Sequence, residues 1–182
     1  MDWLNENFGE WKPTSRLGAG AWIALYILFL FYAYAHAPSF LFPDFVNLMI
    51  HEAGHPLFSI FGNTIMLLGG TLFELIVPAA CAIYFILQRQ PYGVAFSSFW
   101  FFENFLYIGT YMADARSDSL SLVGSDTSDW LLLFSRWDVL LYDQKIGHAV
   151  RLLGWLGMLA TLAWLAYRTY RSTQPHLKPL EL

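Results

Sequence analysis

From Leu17 to His36 the chain carries no formal charge, and at about 20 residues this run can cross the hydrocarbon core of a bilayer as one helix. Three more apolar runs follow: Thr64 to Leu87, Tyr92 to Ala113 and Gly147 to Arg168. Inside lipid a backbone must satisfy its own polar groups, and that condition leaves helices for runs of this length. The composition agrees. Of 182 residues, 57% are hydrophobic and only 13% charged, where a soluble domain carries about 25% charged residues. Aromatic residues make up 19% and crowd the ends of the apolar runs, as a membrane–water interface favours. The reading is an all-α polytopic membrane bundle forming one domain. It has a polar N-terminal segment (1–16), an Asp-rich extramembrane loop with interfacial turns (114–145) and a polar tail (169–182).

Between the first two clear runs, Asp44 to Phe61 is apolar but carries Asp44, Asn47, His51, Glu52 and His55, with Pro56 directly after. That proline predicts a bend or an end to the helix there. Charge then argues the topology. If this segment only dips into the bilayer, four crossings put Lys12, Arg16, Arg89, Arg168, Arg171 and Lys178 on one side, which the positive-inside rule makes cytoplasmic. The stretch 114–145, with six aspartates, falls on the other side together with the motif segment. A fully crossing motif helix gives five crossings and scatters the basic residues. The expectation is therefore four full transmembrane helices plus a partly inserted motif helix, in a bacterial inner membrane with cytoplasmic termini. No small-residue cleavage pattern follows the first run, so it is read as a retained anchor.

The motif segment carries the chemistry. His51-Glu52-Ala53-Gly54-His55 reads H-E-x-x-H. Residues four apart on a helix differ by only about 40° around its axis, so both imidazoles face one way. They can take two corners of a zinc tetrahedron, with Glu52 placed to accept a proton from water. One zinc ion is the expected cofactor, although iron and cobalt suit the same pair. A third ligand is needed. Asp114 is the first choice, because it ends an apolar run on the motif side; Asp118, Asp129 and His148 are the alternatives. Glu74 and Glu103 are carboxylates in the middle of apolar runs, where charge is costly. Either could accept an N–H from a ligand imidazole, with Glu103 the nearer candidate, or serve as a protonated hydrogen-bonding group between helices. Asn104 could orient a substrate carbonyl or hold the motif helix. Gly69-Gly70 favours close helix packing. Cys81 is the only cysteine and reads as packing.

The apolar His51–His55 motif, followed two runs later by Asn104-Phe105-Leu106-Tyr107 and Asp114, resembles the site-2-protease type of membrane metallopeptidase. The resemblance covers about a third of the chain. It implies His51, His55 and Asp114 as zinc ligands, Glu52 as general base and Asn104 as the asparagine that orients substrate. The expected activity is a zinc-dependent hydrolase cleaving membrane-associated polypeptides. A lipid amide or ester is the alternative substrate, and a non-catalytic metal-binding membrane protein the alternative class. Expected partners are membrane lipid, the substrate and a second copy of the chain. A net charge of −4 and the lack of a basic stripe argue against nucleic acid. Five histidines are too few for a histidine-box iron desaturase.

Overall fold

A computed structural model describes residues 10–121, 123 and 127–172. Among these residues there is no strand. The helices are α1 (Arg16–His36), α2 (Asp44–Phe58), α3 (Asn63–Leu87), α4 (Pro91–Ala113), α5 (Asp129–Arg136) and α6 (Asp143–Ser172), with short 3-10 turns at Ser59–Phe61 and Leu140–Tyr142. Local chemistry sets several of their ends. Ser15 starts α1 by accepting the Gly18 N–H at 3.0 Å, and Ser128 starts α5 by accepting that of Leu131. Pro91 opens α4, where a missing N–H costs nothing. Pro56 does not stop α2 at the motif; the helix runs two residues further and then tightens into the 3-10 turn. Its missing N–H falls in the last turn, where little helix is left to disrupt.

Three helical segments are long and apolar enough to cross a membrane: Arg16–His36, Asn63–Leu87 and Leu140–Ser172. The expected count of four does not follow from length and composition, because α4 falls short. The reason lies in its position. α4 packs against α2, α3 and α6, and residues along its whole length are buried, from Pro91 and Ala95 to Ile108 and Met112. A helix shielded by its neighbours does not need an aliphatic surface, and α4 carries Ser97, Glu103 and Asn104 instead. The outer helices show the opposite pattern. Leu28 and Phe31 on α1, Ile83 on α3 and Leu152 on α6 are all exposed.

Contacts between helix ends fix the layout. Lys12 N–H donates to the Arg89 carbonyl at 2.9 Å, the Thr14 and Ser172 hydroxyls lie 2.6 Å apart, and Ser15 N–H donates to Tyr92 Oη at 3.1 Å. The start of α1, the end of α3, the start of α4 and the end of α6 therefore meet at one end. Arg89 and Arg168 both lie over the Trp11 ring there, at 5.3 and 5.0 Å from its centre. At the far end Gly109 and Gly147 let α4 and α6 touch backbone to backbone, since a Cβ on Gly109 would sit 2.5 Å from the Gly147 carbonyl. After α1 the chain turns back into the bundle and buries Leu41 in the core. α2 thus begins beside the middle of α4, where Asn47 donates to Glu103 at 3.0 Å and accepts from Trp100 Nε1 at 2.8 Å. It then runs outward, carrying the motif toward the end away from the arginines.

Candidate metal centre

α2 and α3 approach so closely at the motif that a Cβ on Gly69 would lie 2.8 Å from the Gly54 carbonyl. Gly70, one residue on, leaves room for the His51 ring; a Cβ there would overlap the imidazole. The Gly69-Gly70 pair is therefore helix packing, and it seats a functional side chain as well. His51 and His55 meet edge to face one helical turn apart, with ring centres 4.9 Å from each other at 74°. His51, Glu52 and His55 each offer a ligand atom within 4.8 Å of the others.

Both imidazoles are held from behind. His51 Nδ1 lies 3.2 Å from Glu74 Oε2, and His55 Nδ1 lies 2.9 Å from the Met66 carbonyl. A carbonyl can only accept, so Nδ1 of His55 carries the proton and its Nε2 is a bare lone pair when the ring is neutral. Both Nε2 atoms converge on one carboxylate oxygen, Asp129 Oδ2, at 3.2 Å from His51 and 3.4 Å from His55. Each ring thus meets an acceptor at both nitrogens. Protons shared among the rings and carboxyls, or a bound cation, would satisfy these contacts. Donor atoms of a tetrahedral zinc site with bonds of about 2.0–2.1 Å stand about 3.4 Å apart, and the observed separations match that edge length. The His51-Glu52-His55 group could hold a metal ion.

Asp129 reaches the motif because Ser128 starts α5 immediately before it and Tyr111 of α4 pins that start, accepting the Asp129 N–H at 3.0 Å. Burial pushes the Asp129 carboxyl up, and hydrogen bonds from His51 and His55 outweigh it, holding the group below the usual carboxylate range. The donors open on a cavity of about 460 Å³ that Glu52 and Tyr107 also line, with Leu120 and Val123 contributed by the polar stretch after α4.

The other expected site residues lie elsewhere. Asp114, the first choice for third ligand, is occupied by its own loop: its carboxylate accepts from Ser117 Oγ at 2.6 Å, from Ser119 N–H and Oγ at 2.9 and 2.5 Å, and from Leu120 N–H at 2.9 Å. Burial raises this carboxyl, but those donors prevail and hold it below the usual range. Position in the sequence favoured Asp114, and folding brings Asp129 to the histidines instead. Asn104 is buried and donates along its own helix to the Trp100 carbonyl at 2.9 Å; it does not line the cavity. Glu74, not Glu103, supports a motif imidazole. Asp118 and His148 are exposed and line no part of the cavity. His36 Nδ1 donates to the Tyr32 carbonyl of its own helix at 2.8 Å, and His176 lies outside the described residues. The one sequence sign favouring Asp129 was Ser128 before an amphipathic turn, the pattern of a helix start held at an interface.

No protein-family model, curated protein or solved structure matches this chain.

Proposed function

We propose that this chain is a membrane-embedded, metal-dependent hydrolase that cleaves membrane-associated polypeptides. His51, His55 and Asp129 hold the ion and Glu52 is the general base. The observation that carries the reading is the meeting of two imidazole Nε2 atoms on Asp129 Oδ2 while both Nδ1 atoms are held from behind. A zinc ion bound there would bring the pKa of a coordinated water down to about 7. Glu52 lies on the cavity beside these donors, placed to take a proton from attacking water and pass it to the leaving amine. Tyr107 and Tyr111 wall the same cavity. The carboxylate comes from Asp129, so the likeness to site-2-type peptidases rests on the motif helix and does not extend to Asp114.

In the accompanying topology α4 is a fourth crossing, shielded by its neighbours, and α2 enters only part of the bilayer. The gathering of Arg16, Arg89, Arg168 and Arg171 at one end supports this arrangement, in which the positive-inside rule makes that end cytoplasmic. A cytoplasmic-membrane location of the bacterial inner-membrane kind is part of the same proposal.

Metal analysis of the purified chain beside a peptide-cleavage assay tests the reading. Wild type and Glu52→Gln should both carry about one zinc-class ion per chain, and Glu52→Gln should lose about 10²–10⁴-fold in turnover. A folded, metal-free wild type overturns the centre. Full activity in Glu52→Gln overturns the mechanism.

A further inference from the structure

The end of the bundle away from the metal cavity is basic. Lys12, Arg16, Arg89, Arg168 and Arg171 gather where the start of α1, the end of α3 and the end of α6 meet, and Glu10 is the one acidic residue described there. Among the described residues no ion pair engages Lys12, Arg16, Arg168 or Arg171. The opposite end differs. Arg116 closes there on Asp143 at 2.7 Å, and Arg136 donates to the Thr64 hydroxyl at 2.9 Å. Cations collected without carboxylates repel one another, and an anion placed among them relieves that cost.

Local contacts bring four of these cations to one surface. Arg168 and Arg171 are three residues apart on α6, so their side chains leave neighbouring points of one helix face. The Ser172 hydroxyl meets that of Thr14 at 2.6 Å, which brings the stretch from Lys12 to Arg16 to the end of α6. Lys12, Arg16 and Arg171 are exposed; Arg168 is half-buried, with its guanidinium 5.0 Å from the centre of the Trp11 ring. Arg89 is buried against the same ring and adds charge beneath the surface, not a contact. Apolar surface adjoins this patch directly. α1 and α6 pack together there, and Leu17 and Tyr167 beside the basic residues are 87% and 61% exposed.

We propose that this end of the bundle binds an anionic phospholipid, with Arg168 and Arg171 on its phosphate, Lys12 and Arg16 beside them, and its acyl chains along the exposed faces of α1 and α6. A guanidinium fork matches phosphate oxygens in pairs, and one already rested on an indole gives up less freedom when it binds. A soluble anion would use the charges and leave the apolar faces bare. A phospholipid satisfies both, because its phosphate sits where its chains begin, as the arginines sit where the apolar helix surfaces begin. A zwitterionic headgroup carries its own cation next to the phosphate and pairs less well.

The test is electron spin resonance of the full chain in phosphatidylcholine vesicles containing spin-labelled phosphatidylglycerol or spin-labelled phosphatidylcholine, which reads how strongly each lipid is held at the protein surface. Phosphatidylglycerol should associate about tenfold more strongly, and Arg171→Gln should cut that preference about fivefold, the effect of one interfacial cation. Changing Arg168 to Gln as well should abolish it. Arg136→Gln, at the opposite end, should leave it unchanged, and excess glycerol phosphate at constant ionic strength should displace little of the labelled lipid. Equal association of the two lipids overturns the proposal. So does an Arg171→Gln protein that melts with wild type and keeps the full preference, or an equal loss in Arg136→Gln, which would mean that charge anywhere suffices. Displacement by glycerol phosphate would mean a phosphate site and not a lipid site, and overturns it too. None of these outcomes bears on the metal centre, whose failure would show in metal content alone.

Discussion

The two halves of α2 both bury polar side chains, and they do so differently. In the first half donors and acceptors are matched except at Glu103 Oε1, which has no partner among the described residues. Asp44 Oδ2 accepts the Leu41 N–H at 2.6 Å, and the Asn47 amide donates to Glu103 and accepts from Trp100. In the second half they are not. Two imidazoles are surrounded by the carboxylates of Glu74 and Asp129 and the carbonyl of Met66, with no added donor facing them among the described contacts. The first cluster is a polar lock that joins α2 to α4. The second has more lone pairs than fixed donors, which protons on the imidazoles and carboxyls or a bound cation would balance. Burial of polar groups alone therefore says little about chemistry; the mismatch between donors and acceptors says more.

The sharpest way to break this contrast is to remove the shared carboxylate. Asp129→Ala should weaken metal binding by more than about 100-fold, exceeding the loss typical of a supporting residue, whereas Asp114→Ala should keep metal and loosen only its own loop. Titration of both variants against a competing chelator decides it, and equal losses would erase the distinction between the two aspartates. Glu74→Gln comes next. It keeps a hydrogen bond to His51 Nδ1 but loses the charge, and metal affinity should fall by about 10–100-fold. An unchanged affinity would make Glu74 a packing residue. The smallest expected effect lies in the matched half. Asn47→Leu leaves Glu103 and Trp100 Nε1 without their partner, so stability should fall by about 2–4 kcal/mol. Thermal unfolding would show this, with metal stoichiometry per folded chain unchanged. A loss of metal from the folded Asn47→Leu protein would mean that the two clusters act as one.

Much of the fold could be read along the chain. The apolar runs located α1 and α3 nearly to their ends, because a lipid-facing helix declares itself by an aliphatic surface. The same rule located α4 and counted it as a fourth crossing, and there it overreached, since α4 is surrounded by protein and is not among the segments apolar enough to cross a membrane. The motif was legible because His51 and His55 are neighbours on one turn, and a period of 3.6 residues needs no tertiary information. Its completion was not. Asp114 and Asp129 are both aspartates of one polar stretch, and nothing local distinguishes a side chain that closes its own loop from one that crosses to another helix. Glu74 and Glu103 posed the same difficulty: each is a lone carboxylate on an apolar helix, and the rotation of α3 and α4 against α2 decided which one met an imidazole.

Taken alone, the sequence determined an all-helical chain with apolar segments of membrane length and two imidazoles with a glutamate on one short helix, since these depend on hydropathy and helical period. The third donor, the backing of each ring and the chamber they share were decided only when α2 and α3 closed through Gly54 and Gly69 and Tyr111 anchored the start of α5. Those contacts join residues far apart in the chain, and their geometry exists only once the helices have packed.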